Sequence, residues 1–131
     1  MARQSYFPNR GDLVHLNFSP AARHEMADRH YALVLSTRSF SKVTGFALVC
    51  PITSNTRPWP FDVILAPGSL PPKAGKAISS AIVTDQVKSV DFRDRDCEFV
   101  GTVPEDVLDE ALAKVRAIID SDDPVEELLN R

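Results

Sequence analysis

The chain has 131 residues, 44% hydrophobic and 25% charged, which is the make-up of one globular domain with a single sizeable core. No apolar run approaches the ~20 residues that cross a bilayer, and residues 1–6 lack the apolar segment of a secretory signal. Cys50 and Cys97 have no CxxC spacing, which speaks against both a zinc site and a disulfide framework and leaves a reducing cytoplasm as the expectation.

The net charge of -3 conceals an asymmetry. Residues 1–103 carry 12 Lys and Arg against 9 Asp and Glu, whereas residues 104–131 carry 3 against 9. The body can meet a polyanion through a local groove; the acidic C-terminal end cannot.

Residues 1–10 are polar and aromatic, and Pro8-Asn9-Arg10-Gly11 signals a turn. Val14, Leu16 and Phe18 then alternate with His15 and Asn17, the period of a half-buried strand, and Pro20 ends pairing. Residues 19–30 form a polar loop that holds His24, Glu25, Arg29 and His30. The apolar run 31–35 predicts a central strand, residues 36–44 leave room for a helical turn, and residues 45–52 predict a second buried strand. Pro51 near its end implies an edge or a bulge.

A second polar loop, 53–60, carries Arg57 and the only tryptophan, Trp59. Residues 61–65 predict a strand, and 66–75, with three prolines and two glycines, a loop or lid. Residues 77–84 and 87–91 predict strands joined around Asp85-Gln86, and 98–102 a last short one. Pro104 is expected at the first position of a helix whose apolar stripe runs from Val107 to Ile119. The expected domain is 1–119, mainly β with a C-terminal helix, followed by an acidic tail, 120–131.

Three constellations could carry chemistry. In the first loop, Glu25 or His24 could take a proton from an RNA 2′-hydroxyl, while Arg29 or His30 serves the phosphate and leaving oxygen. Taken alone, the same loop also reads as a solvated charged turn. In the second, Thr53, Ser54, Asn55 and Arg57 could hold phosphate, and Trp59 and Phe61 could stack bases; an ordinary hairpin loop with its aromatics folded inwards fits the same residues. In the third, Asp85 and Gln86 could read base edges or make a structural turn. Arg93-Asp94-Arg95-Asp96 reads as a self-paired solvated turn, and Cys50 as a core residue. No HExxH, GxSxG, P-loop or dinucleotide fingerprint is present.

GDLVHLNF at 11–18, HE at 24–25, ALVLS at 32–36, VCPITS at 49–54, PWPFDVIL at 58–65 and TDQVKSVD at 84–91 occur in the order seen in one family. From about residue 7 to 119 the chain resembles the MazF/PemK toxin endoribonucleases of toxin–antitoxin modules. The resemblance implies a small SH3-like barrel with a terminal helix, acting as a homodimer. It implies metal-independent, sequence-specific cleavage of single-stranded RNA, with no cofactor, to leave a 2′,3′-cyclic phosphate and a 5′-hydroxyl. It further implies a MazE-like antitoxin whose acidic, flexible C-terminus covers the RNA groove, contact with DNA only through that antitoxin, and no membrane partner.

By that resemblance Glu25 takes the acidic position of the first loop and His24 the catalytic histidine of the PemK branch. Thr53 and Ser54 match the active-site pair after the proline, and Asp85 the aspartate of the Asp-Gln pair. Asn55, Arg57, Trp59, Phe61, Gln86 and Lys88 complete the expected RNA-contacting set. One position departs: the family's Arg-Pro before the apolar run reads His30-Tyr31 here, with Arg29 one place earlier. The PemK-branch arginine two places before the aspartate is Val83. The gyrase-poisoning CcdB toxins share this fold without RNA cleavage, so a non-catalytic toxin that binds a protein is the alternative.

Overall fold

A computed structural model describes residues 6–18, 29–72, 75–76, 78–120 and 129–130. Its elements are β1 (Asp12–Asn17), β2 (Arg29–Val34), α1 (Arg38–Thr44), β3 (Phe46–Thr53), β4 (Asp62–Leu65), β5 (Ser80–Val83), β6 (Lys88–Asp91), β7 (Glu98–Thr102) and α2 (Glu105–Ile119). The strands run in the order β4-β5-β3-β2-β1-β7, all pairs antiparallel, with β6 also on β3. They curl into half a barrel, with α2 against one face.

β3 organises the sheet because it serves two partners along one edge. Phe46–Val49 pairs with β6, Ile52–Thr53 pairs with β5, and the opposite edge pairs with β2. Pro51 lies at the changeover between β6 and β5, where a missing N–H costs least. The expected irregularity is therefore a switch of partners inside a central strand. It is not an edge.

Strand periodicity explains the two cores. Leu13, Leu33, Leu35, Cys50 and Ile52 point to one face, where Val63, Leu65, Leu70 and Ile82 meet Ala111 of α2. Val14, Leu16, Phe18, Ala32, Val34, Ala47 and Val49 point to the other and close over Val90 and Phe92. Burial of each large aliphatic here contributes about 1.5–3 kcal/mol before entropy is counted. Because both faces are covered, β2 and β3 read as continuous apolar runs.

Three expectations need adjusting. Residues 36–44 hold a seven-residue helix, capped by Thr37, whose hydroxyl accepts from the Phe40 amide, and ended by Gly45 at φ 77°. Pro104 is the cap of α2, one place before its first helical residue. The strand expected over 77–84 is the shorter β5, and it lies end to end with β6 along β3.

Candidate functional site

Arg29 opens β2 opposite Asn17 of β1, and its guanidinium is fully engaged. Nε donates to His15 Nδ1 at 3.3 Å, Nη1 to the Asp96 carbonyl and carboxylate at 3.1 Å each, and Nη2 to the His15 carbonyl at 3.2 Å and Glu98 Oε1 at 2.7 Å. Thus β1, β2, β7 and the turn before β7 meet at one cation. The His15 ring stacks on Tyr31 at 4.5 Å. Burial, then the neighbouring Arg29 cation, push the His15 pKa below its ordinary value. The turn at 93–96, expected to pair with itself, also ties into the body of the fold: Asp96 reaches across to Arg29, and Arg93 lies over the Phe7 and Phe92 rings.

Beside this cluster a cavity of about 380 Å³ is lined by Arg29, His30, Tyr31, Ile52, Thr53, Ser54, the 70–72 segment, Ile78 and Ser80. It joins the start of β2 to the end of β3. Ala32 pairs with Pro51, and carrying that register two residues on sets His30 opposite Thr53, on one face. Arg29, an odd number of residues away, takes the other face with Tyr31. The Thr53 hydroxyl accepts the Asn55 amide at 3.0 Å, and its own O–H is a further donor at the cavity wall. Ser54 and Asn55 are exposed just beyond. His24 and Glu25 lie outside the described residues.

A second group sits at the opposite end of β5, roughly 10 Å away at ~3.4 Å per residue. The Trp59 ring is 42% exposed, its Nε1 donates to Asp85 Oδ2 at 3.2 Å, and the Arg57 guanidinium lies 5.5 Å from its centroid. Arg57 Nε also pairs with Asp62 Oδ2 at 3.2 Å. The Asp62 side chain is 1% exposed, and its Oδ1 is buried without a hydrogen-bond partner among the described residues. Gln86 is exposed and Lys88 half-buried on β6, opposite Val49.

The cavity thus gathers Arg29, His30, Thr53 and Ser54, while Arg57, Trp59 and Asp85 form their own cluster. Phe61 is a correction. At 7% exposure it is a core residue that backs Trp59, ring centroids 5.9 Å apart, and presents no face for a base. The sequence reading missed His15, Tyr31, Glu98 and the 70–72 wall. Only the alternation that puts His15 and Tyr31 on two neighbouring strands hinted at the first two. Burial raises the thiols of both Cys50 and Cys97 to about 12, so neither is a nucleophile at neutral pH.

Comparison with known proteins agrees with this architecture. Residues 9–119 match the sequence profile of the PemK-like, MazF-like toxins of type II toxin–antitoxin systems. The endoribonuclease toxin MazF of Escherichia coli K12 is 32% identical over 114 residues, 87% of this chain and 96% of that protein. Among solved structures, MazF of Deinococcus radiodurans superposes with a TM-score of 0.74 at 38% identity, covering 88% of this chain and 98% of its own. A MazE-MazF complex from the same organism gives 0.70 at 37% identity, covering 87% and 97%. With the profile spanning most of its length and a curated relative above 30% identity, this chain belongs to the PemK-like, MazF-like toxin family.

Proposed function

We propose that this protein is the toxin of a toxin–antitoxin pair and cuts single-stranded RNA, mRNA included, in the cavity between β2 and β3. The observation that carries the reading is the convergence of Arg29, His30, Thr53 and Ser54 on one cavity, in a chain whose relatives are named endoribonucleases. Those names also weigh against the CcdB-like alternative.

The 2′-oxygen attacks phosphorus while the bond to the 5′-oxygen breaks, so the products are a 2′,3′-cyclic phosphate and a 5′-hydroxyl. The 2′-hydroxyl proton goes to Glu25 or His24, between β1 and β2 in the chain, and the leaving oxygen takes one from the cation side of the cavity. Thr53 and Ser54 hold the phosphate oxygens by hydroxyl donation. Trp59 supplies a stacking face, its edge fixed by Asp85, with Arg57, Asn55, Gln86 and Lys88 along the strand's path.

The toxin domain is taken as 1–119, with 120–131 an acidic tail, and the cytoplasm as its compartment. A MazE-like antitoxin with an acidic C-terminal segment would compete with RNA for the same groove. Support for a homodimer comes from an apolar groove of about 530 Å³ lined by Phe40, Leu48, Val87, Ile118 and Ile119, all of them exposed; a second copy would cover it. The test is to incubate purified protein with long RNA in excess EDTA and sequence the 5′-hydroxyl ends. Cleavage at a recurrent sequence is expected; intact RNA would overturn the reading in favour of a protein-binding toxin.

A further inference from the structure

We infer that Arg29 is a positioning residue whose carboxylate clamp sets the start of β2, and that His30 is the group that meets the scissile phosphate; the inference rests on the endoribonuclease reading above.

A guanidinium has five N–H donors, and each of the five on Arg29 has an acceptor here: two on His15, two on Asp96 and one on Glu98. Its charge is met by two carboxylates, at 3.1 and 2.7 Å. To serve a phosphate it would have to give up bonds already made and leave Asp96 or Glu98 facing the incoming anion. Electrostatics in this corner oppose that exchange.

The arrangement suits a different task. Nε and Nη2 hold both ends of the His15 residue on β1, while Nη1 and Nη2 hold the turn and first residue of β7. One side chain thereby fixes where β2 begins relative to its neighbours. The next residue, His30, sits opposite Thr53 by the β2–β3 register and lines the same cavity. Its ring lies 6.0 Å from that of Phe18, and in this proposal its imidazole N–H donates to the leaving 5′-oxygen. The proton it gives balances the one the base takes from the 2′-hydroxyl as the P–O2′ bond forms and the P–O5′ bond breaks.

Asp96 and Glu98 lie outside the cavity lining, so they can be changed without altering what touches RNA. Glu98→Gln should lower kcat about tenfold through misplacement of β2, with KM near the parental value. If Arg29 were a reacting cation parked on its carboxylates, the same change would release it and raise kcat. His30→Ala should lose about a hundredfold or more in kcat. Independently of cleavage, Arg29→Gln should leave the salt dependence of binding to a 2′-O-methyl RNA unchanged, whereas loss of a true phosphate contact reduces the logarithmic slope by about 0.7.

A parental or higher rate in Glu98→Gln, a parental rate in His30→Ala, or a reduced slope in Arg29→Gln overturns the inference while the parent still cuts RNA. A parent that neither cuts nor binds RNA overturns the functional reading and this inference with it. Melting curves on each variant show that the fold is intact. Should Glu98→Gln fail to fold, the Arg29→Gln slope decides by itself.

Discussion

The two ends of the groove are built on opposite principles. At the β2 end, one arginine is saturated by five acceptors, and the hydroxyl of a threonine lining the cavity accepts one amide. At the β4 end, one tryptophan stays exposed, and beside it Asp62, which pairs with Arg57, is buried with one carboxylate oxygen lacking a partner among the described residues. The first end spends its polar groups on fixed geometry, which phosphoryl chemistry requires. The second keeps an aromatic face in solvent, which stacking requires. Under the proposed function, chemistry and recognition would be divided about 10 Å apart along β5.

That division makes the ends separable by mutation. Thr53→Val removes the hydroxyl donor and keeps the shape, so kcat should fall about 10²–10³-fold, the loss typical of one donor to a developing oxyanion. KM should stay near the parental value; a rise in KM with unchanged kcat would place Thr53 in binding and erase the contrast. Trp59→Ala should do the reverse, weakening RNA binding by about 1–3 kcal/mol with kcat at saturation little changed. Trp59→Phe sharpens the point, because it keeps a stacking face and loses only the bond to Asp85. If it binds as poorly as alanine, the Asp85 contact carries more than the ring does.

Arg57→Ala probes the support beneath Trp59. It removes the only partner of Asp62 Oδ2 among the described residues and leaves a carboxylate at 1% exposure uncompensated. Arg57 itself is 46% exposed, so water screens the pair, and a loss of about 1–2 kcal/mol is expected by thermal melting. Asp62→Asn made in the Arg57→Ala background should recover part of it. No recovery would show that Arg57 acts through its packing on Trp59.

Much of this was legible in the sequence, for physical reasons. The alternation at 14, 16 and 18 and the apolar runs in β2 and β3 follow from having one or both strand faces covered, and the stripe of α2 follows from packing against one of them. Thr53, Ser54 and His30 could be named because motif order located them. What could not be read is anything that depends on register across a fold. Arg29 and His30 are adjacent in sequence and opposite in facing, and only the β2–β3 pairing separates them. Arg29 meets Asp96 and Glu98 some seventy residues on, so the turn at 93–96 looked self-paired. Trp59 and Phe61 looked alike as stackers; Phe61 begins the approach to β4 and its ring is buried.

The smallest expected effect concerns His15, the acceptor that holds Arg29 Nε. Accepting at Nδ1 requires a lone pair there, so the bonded form is the neutral imidazole with its proton on Nε2. Burial first, and then the Arg29 cation, hold its folded pKa below the ordinary 6.5, with His30 pushing the same way and Glu98 opposing. Between the folded and unfolded pKa values the unfolded chain binds more protons, so stability rises with pH across that window. The contribution is complete above about pH 6.5, declines as pH falls through that value, and is gone below the folded pKa. His15→Phe keeps a ring against Tyr31 and cannot titrate, so its melting temperature should fall less steeply than the parent's on acidification through this range. Equal slopes would mean that His15 binds protons alike in the folded and unfolded chain, which would overturn the lowered pKa and its linkage to stability.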